Sequence, residues 1–431
     1  MCYAIPGKLV EINEKIGIVD YFGEKKKVLI DFTDVSVGDY VYAQGGVLLN
    51  KISPKEAEEI LTTWQDLFFE LKSIDEKLSH VKKARQSKSL LALLQKVNLD
   101  KALTRKELLS LLKVNDHNGL KLLFEMANNI RQKEHGNACC VHGIIEFSNV
   151  CENQCFYCGI RKGRRMPRYR MDLDEISKVA GDAVNRLGFK ALVLQSGEDP
   201  WYDQKKLVTI VREIRKLGVL VFLSIGERSK DTYRRLFEEG ARAVLLRFET
   251  SNEGIFNRLR PQRSLAKRVE LIRYIRELGY VLATGFLLGL PEETEQDIIN
   301  NILLTKELKP HMYSLGPLIP SRQTPLENHT FINKDILLKV IALSRFIDKD
   351  SNILVTTALE TLDKGTKRQA LLSGANSLMI NVTPSQYRNL YHIYDNRAGV
   401  REPIQETIAA TIELLYSLGR APTDLGIKTV Q

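Results

Sequence analysis

The sequence predicts an α/β protein in which a (β/α)8 barrel follows a small β-barrel that carries its own helix. Strand-length apolar runs alternate with helix-length amphipathic segments over most of the chain, the pattern of parallel strands closed into a barrel. The opening segment reads instead as short strands joined by tight turns. A length of 431 residues exceeds one ordinary domain and leaves room for an appended module.

The opening strands are Val10-Glu11-Ile12, 17–22, 27–32, 37–42 and Val47-Leu48-Leu49. Ser53-Pro54-Lys55-Glu56 has the form of a helix start, with a capping hydroxyl, proline at the first helical position and an acid three residues after the cap. Helical apolar spacing then runs from Ala57 to Leu71, so residues 1–75 are assigned to the small barrel and its helix. Residues 72–90 are polar and charged, and two helical stretches follow at 108–112 and 119–130, making 76–135 a helical linker. The large barrel takes 136–431, its strands expected at Ile144-Ile145-Glu146-Phe147, 191–194, 220–223, 244–247, 282–288, 312–315, 353–356 and 377–380. Chemistry in such a barrel belongs on the loops after the strands.

Composition narrows the function classes. Hydrophobic content of 44% and charged content of 27% are those of a globular protein, and no run approaches the roughly 18 apolar residues of a membrane helix. The start of the chain lacks a basic region followed by an apolar run, so a cytoplasmic location is expected, with no membrane contact. The net charge is +10, but the basic residues are scattered and no aromatic-studded basic strand accompanies them, so nucleic acid is not the expected partner.

Six cysteines are too few for a disulfide scaffold, and their placement points to metal. Cys151-Glu152-Asn153-Gln154-Cys155-Phe156-Tyr157-Cys158 puts three thiols on one short loop just after the first large-barrel strand. Three thiolates there can take three corners of a 4Fe–4S cube and leave one iron open to a ligand. The alternatives are a zinc site completed by His142 or another group, or cysteines that only pack. Cys139-Cys140 precede the expected strand and are read as packing residues.

The three-cysteine spacing resembles that of the radical S-adenosylmethionine (SAM) superfamily. Ser196-Gly197-Glu198 after the second strand is similar to the superfamily element that receives the SAM amino group; by itself it is a strand-end turn. Within the superfamily, 145–151, 158–161, 168–171, 193–200, 223–227, 246–250, 289–291, 355–358 and 383–391 resemble the HydE family, maturases of iron–iron hydrogenases. That resemblance implies Glu249 and Arg268 as further SAM contacts, and Arg247, Thr356, Thr357, Tyr391 and Tyr394 as the lining of a substrate cavity. It implies action on a cysteine-bound iron carbonyl-cyanide complex. An arginine beside paired hydroxyls suits an anionic complex; interior packing is the other reading of the threonines. No cysteine follows Cys158, so one cluster is expected, and Phe248 stands where the family commonly has histidine. Biotin synthase, methylornithine synthase and iron-guanylylpyridinol maturase are neighbouring activities, and an iron-carrying scaffold is the non-enzymatic alternative.

The N-terminal segment resembles the HypC hydrogenase-assembly chaperones through Met1-Cys2-Tyr3-Ala4-Ile5-Pro6-Gly7-Lys8, Val37-Gly38-Asp39-Tyr40-Val41 and the Ala57-Glu58-Glu59 helix. The resemblance implies iron at Cys2, with an inert structural cysteine as the alternative, and places Gln44 where the chaperones have histidine. Other hydrogenase maturation proteins are the implied partners. The run Arg161, Lys162, Arg164, Arg165, Arg168 and Arg170 is either a solvated face or a rim for an acidic electron donor, reduced ferredoxin or flavodoxin.

Overall fold

The computed structural model describes residues 3–31, 33–82 and 87–426; Cys2 lies outside the described residues. Strands β1 (Gly7–Asn13), β2 (Ile16–Tyr21), β3 (Glu24–Leu29), β4 (Tyr40–Gln44) and β5 (Val47–Ile52) close a small barrel in the order β1-β2-β3-β5-β4. Alternation along β2 turns Val19 and Tyr21 inward against Leu9, Val28, Val41 and Leu48. The third and fourth strands sit about three residues away from their expected places. Val37-Gly38-Asp39 forms a turn, with the Asp39 carboxylate accepting from Ser36 N at 2.8 Å. Lys25, Lys26 and Lys27 lie within β3, where their charge hides the strand pattern.

Helix α1 (Pro54–Leu78) starts as expected: the Ser53 hydroxyl accepts from Glu56 N at 3.3 Å. It runs past residue 75. Trp64, Phe68 and Leu71 pack it on the small barrel, whereas Asp75 reaches away to Arg131 (2.7 Å) and Arg420 (3.0 Å), all three fully buried. Helices α2 (Lys88–Asn98), α3 (Arg105–Leu112) and α4 (His117–His135) follow, with a Thr104–Glu107 capping box at the start of α3.

The large barrel then unfolds in order: β6 (Ala138–Ser148), α5 (Leu173–Asn185), β7 (Ala191–Ser196), α6 (Gln204–Arg215), β8 (Leu220–Ser224), α7 (Lys230–Glu238) and β9 (Ala243–Leu245). Next come α8 (Glu253–Leu259), α9 (Leu265–Glu277), β10 (Val281–Thr284), β11 (Leu287–Leu288), α10 (Glu295–Glu307), β12 (Met312–Pro317), α11 (Lys334–Ile347) and β13 (Asn352–Val355). The chain ends through α12 (Thr357–Leu362), α13 (Thr366–Leu372), β14 (Ser377–Asn381), α14 (Ser385–Arg388), α15 (Ile404–Ser417) and β15 (Ala421–Pro422). Strands β6, β7, β8, β9, β10, β12, β13 and β14 pair in parallel around a closed ring.

Two expectations are corrected. The first strand begins at Ala138, so Cys139 and Cys140 lie within it rather than before it, and every residue of β6 is buried. The expected strand 282–288 divides into β10 and β11 around Gly285, where a Cβ would come within 2.3 Å of Ser314 O.

The small barrel seats under the foot of the large one, where the strands begin. Val47 packs with Leu220, Ala243, Ala283 and Met312 of the large-barrel interior. Gln44 Nε2 donates to Thr423 O at 2.5 Å, and Arg242 donates to Asp31 at 2.5 and 2.8 Å. The strand ends, and any site built on them, lie at the opposite mouth.

Candidate active site

After β6 the chain crosses the mouth of the barrel as the cysteine loop. Arg168 fixes its shape: one guanidinium donates to the carbonyls of Asn149, Ile160, Arg161 and Arg164 at 2.6–3.1 Å. Asn149 Nδ2 adds bonds to Pro167 O (2.9 Å) and Leu390 O (2.8 Å). The loop presses directly on the Ser196-Gly197-Glu198 turn. A Cβ on Gly197 would lie 2.2 Å from Val150 O and 2.8 Å from Cys151 Cβ, so only glycine fits there.

Cys151, Cys155 and Cys158 line one cavity of about 1180 Å³ and form no disulfide. Burial raises the Cys151 and Cys158 thiols, and for Cys158 the neighbouring Cys155 and Cys151 raise it further. Three ionised thiols so placed need positive charge among them, which iron supplies. The donor set, three sulfurs on one loop facing a cavity, fits a 4Fe–4S cluster with one open iron.

Acids at successive strand ends and arginines on or beside α8 and α9 form an ion-pair network next to the cysteines, of which Glu198, Glu249, Arg260 and Arg268 line the cavity. Glu198 follows β7, Glu227 follows β8 and Glu249 follows β9. Arg268 on α9 meets Glu227 at 2.5 Å and Glu249 at 3.9 Å, and its Nε donates to Arg247 O at 2.5 Å. Arg260 lies 3.8 Å from both Glu198 and Glu227, and Arg263 bridges Glu198 (3.2 Å) and Glu152 (2.9 Å). Burial alone would raise the Glu227 carboxyl, but the charges of Arg268 and Arg260 outweigh it and hold that group below its ordinary value. Burial works against the Arg260 charge as well, and there Cys155 and Tyr157, with Glu249 and Glu198, prevail and raise it.

Glu249 adopts φ +71°, a left-handed conformation that a non-glycine residue reaches only under constraint. Its N–H is held by Gly285 O at 3.3 Å. Its Oε2 is buried without a hydrogen bond among the described residues, 3.4 Å from Arg247 Nε. A strained carboxylate that lines the cavity, its Oε2 held by an ion pair and no hydrogen bond, suits a ligand ammonium or hydroxyl.

Arg247, Thr356, Thr357, Tyr391 and Tyr394 line the same cavity. Thr356 caps α12 in position, yet its hydroxyl makes no cap bond and has no partner among the described residues. All ten residues expected to contact SAM or substrate therefore share one chamber with the three cysteines. Sequence reasoning missed Glu227, Arg260, Arg263 and the buried Glu146–Arg397 pair (2.7 Å), which also faces the cavity. Glu227 follows Ile225-Gly226 at a strand end, much as Glu198 follows Gly197, and was detectable on that ground. The basic run after the loop divides: Arg164, Arg168 and Arg170 are spent on Gly159 O, loop carbonyls and Asp199, while Lys162 and Arg165 are exposed.

Comparisons with known proteins agree with this geometry. Residues 145–304 match the Radical SAM superfamily, 308–414 the Biotin and Thiamin Synthesis associated domain, and 1–64 the HupF/HypC family. The chain is a radical SAM enzyme carrying a HypC-like module. The chain is 41% identical over 320 residues to the FeFe-hydrogenase maturase subunit HydE of Thermotoga maritima, covering 74% of this chain and 92% of that protein, and it belongs to the HydE family. It is 28% identical to 3-methylornithine synthase of Methanosarcina barkeri, covering 73% of this chain and 89% of that one. Methylornithine synthase (PylB) superposes with a TM-score of 0.69 at 27% identity, covering 77% of this chain and 97% of that structure. HydG of Carboxydothermus hydrogenoformans shares the fold, with a TM-score of 0.67 at 19% identity over 85% of each chain.

Proposed function

We propose that this enzyme acts in the maturation of a hydrogenase metal centre, on a cysteine-bound iron carbonyl-cyanide complex held in the barrel cavity. The observation that carries the reading is the sharing of one chamber by the cysteine loop, the Glu249–Arg268 contacts and the Arg247–Thr356–Thr357 wall. Cys151, Cys155 and Cys158 would hold the cluster, and Ser196, Gly197, Glu198, Glu249 and Arg268 would hold SAM. When bound, the cluster would supply the electron for reductive cleavage of a SAM C–S bond, giving methionine and a 5′-deoxyadenosyl radical. The chain's own part is placement. Glu249 orients the ligand through its carboxylate, and Arg268 offers a cation to a carboxylate. Arg247 with the Thr356 and Thr357 hydroxyls offers donors to an anionic substrate, against the walls formed by Tyr391 and Tyr394.

Reduced ferredoxin or flavodoxin would dock at the exposed Lys162 and Arg165, and the HypC-like module would bind other maturation proteins and carry iron at Cys2. The test is anaerobic reconstitution, reduction with dithionite and assay of 5′-deoxyadenosine with SAM. Release that vanishes in Cys155→Ala supports the enzyme; none at full cluster loading would sink it in favour of a scaffold. Adding the synthetic iron carbonyl-cyanide cysteine complex should speed release in wild type and not in Arg247→Ala. Unchanged iron binding by Cys2→Ala would remove that cysteine from the proposal.

A further inference from the structure

Side chains along β6 alternate, and Cys140, His142, Ile144 and Glu146 form its inward row. Ile144 packs in the barrel interior, and Glu146 faces the upper cavity. Cys140 and His142 lie below, next to Asp424, which follows β15. A thiol sulfur, an imidazole nitrogen and a carboxylate oxygen of this trio lie within 4.8 Å of one another, and all three residues are buried. They line a small separate chamber of about 30 Å³, closed from below by Gln44 and Gly45 of the small barrel.

We propose that Cys140, His142 and Asp424 bind one divalent transition-metal ion, of the zinc or ferrous kind, at the junction of the two barrels. The donor chemistry is the first argument. Sulfur, nitrogen and oxygen donors together suit such ions, and tetrahedral zinc bond lengths imply donors about 3.3–3.8 Å apart. His142 Nε2 and Asp424 Oδ2, now at a hydrogen-bond distance of 3.1 Å, need to separate by only a few tenths of an ångström to take an ion between them, and the chamber has room for one.

An unmet polar atom is the second argument. Gln44 Oε1 is buried and has no hydrogen-bond partner among the described residues. Gln44 lines this chamber, so an unmet acceptor oxygen from the small barrel adjoins the trio. Leaving it unpaired in the interior costs free energy that an ion would recover. Charge is the third argument. A divalent ion balances one carboxylate and one thiolate, which removes the cost of burying either charge alone. The site would also clip chain segments far apart in sequence, β6 to the C-terminal segment, and so stabilise the fold.

None of these residues belongs to the cysteine loop, so failure of this proposal would leave the cluster assignment intact. The test uses the full-length, cluster-loaded protein equilibrated with zinc and then desalted, with zinc counted by mass spectrometry. About one zinc per chain is expected in wild type and in Cys2→Ala, falling at least tenfold in Cys140→Ser and in His142→Gln. Zinc-edge X-ray absorption should show a single sulfur among nitrogen and oxygen neighbours. Zinc should raise the melting temperature of wild type and not of Asp424→Asn, a near-isosteric change that guards against a folding defect in the other two. Zinc at background in wild type, or zinc retained in all three variants, would overturn the proposal.

Discussion

At the scale of single residues, the site depends on contacts that tolerate almost no added volume. Gly197 lies against the backbone that presents Cys151, so Gly197→Ala is expected to push the loop outward. Cluster loading, read as iron and sulfide per chain after reconstitution, should drop several-fold while the fold persists. Gly181 on α5 has open space at its Cβ position, and Gly181→Ala should leave loading unchanged and stabilise the helix by about 0.5–1 kcal/mol. Equal loading in the two variants would defeat the steric account. The cysteines themselves were legible in the sequence because their geometry is set within eight residues. Arg260 and Arg263 were not, since their roles come from proximity to acids at different strand ends.

At the scale of elements, α1 shows how a helix can belong to two units. Its first half is apolar toward the small barrel, and that half is readable as helical spacing. Its last turns carry Asp75 to two buried arginines from α4 and the stretch before β15. Asp75→Ala would leave Arg131 and Arg420 buried without that carboxylate. Removing one partner of a buried ion network typically costs about 3–5 kcal/mol, so the urea midpoint should fall sharply. A change within about 0.5 kcal/mol would show that water or other groups take over. The same nonlocality explains the misplaced strand bounds. Gly285 breaks the apolar run 282–288 because Ser314 O on the adjoining strand leaves no room, and no local pattern records that.

At the scale of the whole molecule, the sign of one buried acid's titration bears on stability. Burial raises the Glu293 carboxyl to about 7, though bonds from Gly289 and Leu290 N–H oppose it. A folded value above the unfolded one means that the folded state binds its proton more tightly. The contribution is therefore complete at pH 4 and is lost as pH rises through about 7. Glu293→Gln should flatten the decline in melting temperature between pH 5 and 8; an unchanged slope would show that other groups control it.

The chain alone determined the order of elements, the closed parallel barrel and the three-thiol loop, because apolar period and cysteine spacing are local quantities written along it. Tertiary structure alone decided that thirteen expected site residues share one cavity, and that Cys140, His142 and Asp424 meet beneath it. Those meetings depend on which strand ends and turns a closed ring brings together. Residues far apart in sequence become neighbours only once the last strand has closed against the first.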